Sequence, residues 1–590
     1  MPSFNAQDLS NTAWSFSPLQ FAHPPLLEAI ASQALRKMVQ FQPQNLSNTA
    51  WSFAALAVRH WPLLASISSA SLPSLRYFDT QGLANTAWSL AKLSVADIPL
   101  LAAIASPARR TLSAAGPQHL ANLAWAFARL LFCDRPLLAA ISAEALRTIA
   151  AFPPQELTNT AWSWATLRVD DAPLLAAISS QAIAKRSAFA AQNLANTVWS
   201  FAQRGVCDRT LLSAISAESI RRISDFSDQH LATTAWALAA LAVRNRPLLE
   251  AIAAAAIPKI GDFAAQGLAN TAWSLASLSV THSPLLDAIS ASSLPLIADF
   301  CPQHLANTAW SVATRQFGDA PLLAAIAAAS LRTLGLFSAQ HLSSTAWSFA
   351  ALQCRHAPLL AAISAASIPT CGEANAQDLG NTAWAFSTLR LRDAPLLDAI
   401  ASAAISPSSQ PNAANSAGFP AQGLAMIAWS VAALEVWHPP LLEAISSAAR
   451  PKRQEYEAES LATIAWAFAE MPMRDVTLLQ SISSAALKRL AEFEAGDLAK
   501  LSWANAPLGI PDAGRLLRAV LDAAPQRGGE LSAPGAHALL WAAWRSGSTA
   551  SLLETCGERV AGLHEPQGLA AVADLLLLES EWRRGQAEEA

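Results

Sequence analysis

The polar and apolar positions of this chain recur with a fixed period. Trp stands at positions 14, 51, 88, 125, 162, 199, 236, 273, 310, 347 and 384, always 37 residues apart, and after one step of 45 it returns at 429, 466 and 503. Around each Trp the chain reads Phe-x-x-Gln-x-Leu-Ala-Asn-Thr-Ala-Trp-Ser-Phe-Ala. A short break follows, then x-Pro-Leu-Leu-x-Ala-Ile-Ser. A period of this size specifies an array of small units rather than separate globular domains. Each unit carries two helix starts. The first has Pro or Ala one residue before the Gln, as in Pro43, Pro117, Pro154 and Pro302, and the residue before that is often a cap, as in Asn5, Asp79, Ser227, Ser338 and Asn375. The second is Asp97, Asp134, Asp171, Asp208, Asp319 or Asp393, with His23, His60, His282, His356, His438 or Asn245 in the same place elsewhere. Two helices of about 16 residues each, within the usual range, use up the unit and leave nothing for a strand. The predicted fold is all-α, an αα-hairpin repeat solenoid wound as a right-handed superhelix.

In the second unit Leu46, Ala50, Phe53 and Leu56 share one face of the first helix, helix A. Ser47, Trp51, Ala54 and Val58 form a second apolar face, and Leu63, Leu64, Ile67, Leu72 and Leu75 a third on helix B. One hairpin cannot bury three faces, but a stack can. The Trp ladder reads as core packing, worth roughly 2–3 kcal/mol per repeat; a base-stacking platform is the other reading. Residues 1–404 are expected to hold eleven hairpins, 405–418 a flexible insertion, 419–504 three further units, and 505–590 degenerate repeats and a polar cap.

Composition narrows the function. The chain is 53% hydrophobic and 14% charged, with net charge −4 and six Cys in 590 residues. Near-neutrality announces no global attraction to nucleic acid. Six Cys do not make a disulfide scaffold, and no uncharged apolar run reaches the ~18 residues needed to span a membrane. No targeting presequence is read at the N-terminus. Nine of the 11 His recur at two repeat positions, without Cys or carboxylates at metal-ligand spacing, and read as helix caps. With no nucleotide, nucleophile-elbow or metalloprotease motif, neither an enzyme nor a bound cofactor or metal is expected.

The informative polar stripe lies on helix A. Counting each Trp as zero, positions −6, −3, +1 and +4 share a face. Position −6 is variable but mostly polar: Asp8, Asn45, His119, Glu156, Asn193, His230, His304, His341 and Asp378. Position −3 is Asn11, Asn48, Asn85, Asn122, Asn159, Asn196, Asn270, Asn307 and Asn381. A variable slot in a constant frame suits a modular reader of nucleic-acid bases. Complementing free N–H groups at the helix start, or an internal Asn ladder, would give the same pattern. Near the end of helix B a basic window collects Arg36, Lys37, Arg109, Arg110, Arg147, Lys185, Arg186, Arg221, Arg222, Lys259, Arg332, Lys452, Arg453, Lys488 and Arg489. Stacking turns it into a row that would meet phosphates of a single strand. Compensation of the helix dipole is the alternative.

The segments at 263–276 and 300–313 resemble the core of the octotricopeptide repeat. They are also similar to its 37-residue heptatricopeptide variant and to the repeats of FAST-kinase-like and RNA-editing substrate-binding complex proteins. The resemblance spans about residues 4–504. It implies a solenoid that binds single-stranded organellar RNA, in a mitochondrion or alternatively a plastid, and acts in its stability, processing, editing or translation. It places the base contacts on the helix A polar stripe. No terminal RAP module is found. The expectation is a monomeric, sequence-selective RNA binder, with RNA-processing or ribosomal proteins as further partners and no membrane insertion. A protein-interaction scaffold without RNA is the rival.

Overall fold

The computed structural model describes residues 3–405 and 421–505, apart from 435, 437, 453–455 and 472–474, together with 515, 516 and 519. The predicted insertion at 405–418, except Ile405, lies outside the described residues, and so does nearly all of the predicted cap at 505–590. Among the described residues there are 27 α-helices and no strand. They alternate as predicted: Pro43–Ala55 then Trp61–Ser71, Thr80–Lys92 then Ile98–Thr111, Pro117–Arg129 then Arg135–Thr148. The chain divides into two compact units, Met1–Ser293 and Leu294–Ala590. Each is a stack of αα-hairpins, so the fold is an all-α repeat solenoid.

Local chemistry fixes each hairpin. Helix A ends in a Schellman motif: Val58 N–H donates to the Phe53 carbonyl at 2.9 Å and Ala57 N–H to Ala54 at 3.1 Å. The residue that closes this turn is left-handed in repeat after repeat, as in Ala57 (φ 55°), Leu131 (φ 54°) and Gly205 (φ 64°). Helix B then starts at the predicted caps. His60 Nδ1 accepts from Leu63 N–H at 3.1 Å, and Asp97 Oδ1 from Leu100 N–H at 3.0 Å.

The core is filled by Leu46, Ala50, Phe53, Leu63, Leu64, Ile67 and their equivalents, all nearly inaccessible. Leu72 departs from the predicted face and is 41% exposed, because the chain there leaves the α-helix for a 3-10 turn that begins with Leu72 and Pro73. Helices A of neighbouring repeats pack closely because their facing residues are small. Ser52 and Thr86 are buried, but each hydroxyl donates to a carbonyl one turn back in its own helix: Ser52 to Asn48 at 2.7 Å, Thr86 to Gly82 at 2.8 Å. Their polarity is satisfied before the neighbour arrives.

A second link joins successive helices B. The cap Asp uses its other oxygen to accept from a Ser in the preceding hairpin: Ser142 to Asp171 at 2.5 Å, Ser179 to Asp208 at 2.5 Å, and likewise Ser68 to Asp97 and Ser364 to Asp393. The sequence carries this pairing as a covariation. Where the cap is His60, His282 or His356, the preceding unit has Ala31, Ala253 or Ala327 in place of the Ser.

Candidate ligand surface on the helix A face

The variable position −6 is buried at Asn45, Asn193 and Asp378, partly exposed at Glu156 and the four His, and exposed at Asp8. It is the third residue of helix A, and its side chain turns back to the cap. Asn45 Oδ1 accepts from Gln42 N–H at 3.1 Å, Asn193 from Ala190 at 3.1 Å, and Asp8 from Asn5 at 2.9 Å. His119, His230, His304 and His341 do the same through Nδ1, at 3.3–3.4 Å. Burial pushes the His230, His304 and His341 pKa values down, which keeps the ring nitrogen an acceptor. Those three rings also stand edge-on to Phe226, Phe300 and Phe337.

Position −6 also meets the neighbouring helix A. Asn45 donates to Ser10 Oγ at 3.1 Å, and Asp378 accepts from Ser343 Oγ at 2.9 Å. A Cβ on Gly423, the same position, would lie 2.9 Å from the Ala376 carbonyl. Glu156 forms no such cap, since Pro153 precedes its helix and has no N–H to give, and it is only partly exposed. Of the nine position −6 candidates, Asn45, Asn193 and Asp378 are buried and the four His are partly exposed but engaged with their caps. Capping, and in several units the inter-repeat contact, accounts for them; Asp8 alone is exposed, because it lies in the first repeat.

The Asn at position −3 behaves differently. Asn11 is exposed, and Asn48, Asn85, Asn122, Asn159, Asn196, Asn270, Asn307 and Asn381 are partly exposed. The Asn85 backbone carbonyl takes the Ser89 hydroxyl at 2.5 Å, and those of Asn48, Asn159, Asn196, Asn270 and Asn307 take a Ser likewise, but none of the nine carboxamides has a hydrogen-bond partner among the described residues. The internal Asn ladder is absent among the described residues.

One turn earlier stands a row that the sequence pattern alone did not single out. Position −7 is Gln in twelve of the fourteen units, from Gln7 to Gln422, and all twelve are exposed. Gln7 accepts from Asn45 at 3.2 Å, and the other side chains have no internal partner. The signal that marks them is constancy at a position that contributes nothing to the core.

Positions −7, −3 and 0 share one face of the helix, so the Trp completes the stripe. Trp14 is 49% exposed and the Trp of each later described unit is partly exposed. The fully enclosed ring is the Phe two positions on, as in Phe53, Phe127 and Phe201, or Trp164 in the fifth unit. The indoles lean on one another along the stack: Trp51, Trp88, Trp125 and Trp162 follow at centroid distances of 6.4–6.5 Å, tilted by 32–36°. Core packing alone does not describe them. In the first repeats this face holds an open groove of about 810 Å³, lined by Trp14, Gln44, Asn48, Tyr77, Gln81 and Asn85. The Arg76 guanidinium stacks on Tyr77, 4.7 Å from the ring centroid, and brings a cation to the groove wall that lay outside the basic window.

The basic window separates into two kinds of residue. Lys185 donates to the Phe152 carbonyl at 2.8 Å, Lys259 to Phe226 at 2.6 Å, Lys37 to Phe4 at 2.6 Å and Arg489 to Tyr456 at 2.9 Å, and Arg222 reaches Phe189 in the same way. These five tie the end of helix B to the entry of helix A, a structural duty. Arg147 and Arg221 pair with Glu144 and Glu218 one turn back. Arg186 donates to the Ile183 carbonyl. Arg36, Arg109, Arg110, Arg332 and Lys488 remain exposed with no ion pair, and are the ones open to an anionic ligand. Lys452 ends its helix, and Arg453 lies outside the described residues. No group of three or more metal-ligating side chains occurs among the described residues, and none of their helices is long and apolar enough to cross a membrane.

The model of the RNA-editing substrate-binding complex 6 protein matches residues 1–99 and 100–357, more than half of the chain. No curated protein matches. Solved structures with a likeness to the chain include She4p, at 11% identity over 97% of this chain and 91% of that one, with a TM-score of 0.37. Naa15/Naa10 bound to HypK-THB gives 12% identity over 98% and 96%, TM-score 0.29, and SYS-1 gives 13% over 97% and 99%, TM-score 0.26.

Proposed function

The chain belongs to the RNA-editing substrate-binding complex 6 family, and from that premise we propose that it is a non-catalytic component that holds single-stranded RNA against the helix A face. The observation that carries this reading is the double row of carboxamides, Gln at −7 and Asn at −3, without internal partners after Gln7 and set beside the partly exposed Trp ladder. Carboxamides offer a donor and an acceptor to a base edge, aromatic edges and faces offer stacking, and Arg36, Arg109 and Arg110 offer charge to phosphates. Membership of an editing-type complex, and the mitochondrial location implied by the resemblance, are parts of the same proposal.

A labelled single-stranded RNA titrated with the full chain tests it. Replacing Gln44, Asn48, Gln81 and Asn85 together by Ala should weaken binding at least ~10-fold, since hydrogen bonds of this kind are worth about 1 kcal/mol each. Reversing Arg36, Arg109 and Arg110 to Glu should flatten the salt dependence, by ~0.7 in slope for each phosphate no longer neutralised. RNA binding indifferent to both changes would remove the helix A face from the model. A protein scaffold is the second reading, favoured by exposed apolar side chains such as Val39, Leu131 and Leu336, and complete failure to bind RNA would promote it.

A further inference from the structure

We propose that the helix A face accepts a single-stranded tract of one repeated base rather than a mixed sequence, meeting the same base edge at each repeat. This inference rests on the RNA-binding reading above. A modular reader distinguishes sequences through residues that both vary and reach the ligand. Here the two properties are separated. Position −6 varies, but its side chain is bonded to its own cap at the buried Asn45, Asn193 and Asp378 and at the partly exposed His119, His230, His304 and His341. Positions −7 and −3 reach solvent, their side chains have no internal partner apart from Gln7, which accepts from Asn45, and both are constant through the first six units. Gln and Asn occur together without interruption through six successive units, from Gln7 and Asn11 to Gln192 and Asn196, all within the compact unit Met1–Ser293. Departures come later, where Thr233, Ser344, Met426, Thr463 and Lys500 replace the Asn.

A carboxamide sets one N–H and one C=O side by side, and it docks on a base edge that presents the complementary pair. Equal pairs in equal frames favour the same base each time. The repeated backbone supports equal frames, since in four of these six units the Ser at +1 donates to the Asn carbonyl in the same way, as at 2.7 Å for Asn48, 2.6 Å for Asn159 and 2.6 Å for Asn196. A mixed sequence would satisfy some of these edges and leave others against the wrong partner. The aromatic ladder does not restore discrimination, because every base has a π-face.

The test uses the full chain and labelled RNAs of equal length: oligoadenylate, oligouridylate, oligocytidylate and a mixed sequence of the same bases, compared by fluorescence anisotropy at fixed salt. One homopolymer should bind at least ~10-fold more tightly than the mixed RNA, well within the discrimination that repeated base contacts supply. The variant Asn48→Asp, Asn85→Asp, Asn122→Asp replaces donors by acceptors and should reduce or reorder that preference, with its helical circular dichroism unchanged. Measurable binding of mixed RNA within about twofold of the best homopolymer would overturn the inference and leave the RNA-binding reading standing. A homopolymer preference that survives in the Asp variant would assign it to stacking and overturn the base-edge inference as well. Absence of binding to any RNA would instead defeat the RNA reading itself.

Discussion

The Ser179–Asp208 link can be dissected to show how one hairpin is registered on the next. Asp208 accepts from Leu211 N–H through Oδ1 at 3.0 Å and from Ser179 Oγ through Oδ2 at 2.5 Å, so one carboxylate caps its own helix and grips the preceding one. Burial alone would raise its pKa, but the bonds from Leu211, Ser179 and Thr210 together outweigh burial and hold it below the ordinary carboxylate value. Ser179→Ala removes only the grip, and a hydrogen bond to a charged acceptor at a partly exposed site is worth about 1–2 kcal/mol. Asp208→Ala removes the cap as well, adding about 1 kcal/mol. The double mutant should match Asp208→Ala, giving a coupling energy of about 1–2 kcal/mol. A long array does not unfold as one cooperative unit, so the suitable assay is local amide exchange over residues 172–221. Ser179→Ala should speed exchange there by about fivefold or more, at 1.36 kcal/mol per tenfold. The folded-state pKa is depressed, so the stabilisation is full above the unfolded value of about 3.9 and is lost as the pH falls through the lower folded value. Asp134 supplies the reverse experiment. It caps Leu137 at 2.8 Å but faces a unit with Ala105 in place of the Ser, so Ala105→Ser should add a grip worth about 0.5–1.5 kcal/mol. A coupling energy below about 0.3 kcal/mol, the usual additivity error, would refute the reasoning.

Other outcomes follow from single positions. Gly205 is left-handed with open space where a Cβ would sit, so Gly205→Ala should cost about 1 kcal/mol through the backbone alone, while Leu131→Gly should stabilise by about 0.5 kcal/mol; local exchange rates in the two hairpins check both. His230, His304 and His341 have depressed pKa values. The stability they confer is therefore present above about pH 6.5 and lost as the pH falls through their folded values; the thermal midpoint should fall over that window, and replacing all three by Asn should remove the fall. Arg222→Ala should destabilise its hairpin by about 1 kcal/mol through loss of the bond to Phe189, and Arg221→Ala should cost at least as much, because it leaves the buried Glu218 carboxylate without its partner; local amide exchange in that hairpin checks both.

Much of the architecture was legible because it is local. The caps at His60, Asp97 and Asn375 are read from residue type and the Pro or Ala that follows, and the structure uses them as caps. The core leucines follow from spacing within one helix. Legibility fails where the neighbouring repeat decides. Residues −7 and −6 are adjacent and both polar, and about 100° of helical rotation separates them. Only the position of the next helix A turns one toward an interface and leaves the other in solvent. The Trp is constant, and constancy does not distinguish a core ring from an exposed one; Trp51 lies at the edge, while Phe53, two residues on, is sealed. The basic window was also mixed, since reaching a carbonyl across a turn, as Lys259 does, depends on a loop path that spacing does not encode.

The glutamine row bears on the ligand through what it lacks. Position −7 is the second residue of helix A, in the first turn, where Asp or Glu would complement the unpaired N–H groups and add about 0.3–1 kcal/mol. Glu459 shows that the fold accepts an acid there. Yet twelve units carry the neutral isostere of Glu at an exposed position, forgoing that gain in each repeat. Packing gives no reason for the choice, since the side chains touch no core, and capping gives none, since the −6 residue and the cap already exchange bonds in most units. A ligand carrying negative charge along its length gives one: carboxylates at this position, as at Gln44 and Gln81 beside the groove, would repel a phosphate backbone, whereas carboxamides can approach it and still offer both halves of a hydrogen-bonding edge. Changing Gln44, Gln81 and Gln118 to Glu separates these effects. If the row faces RNA, the variant should be as stable as the parent or more so, yet bind RNA more weakly, with the deficit largest at low salt where screening is least. Unchanged affinity at low salt would show that the row faces something other than a polyanion.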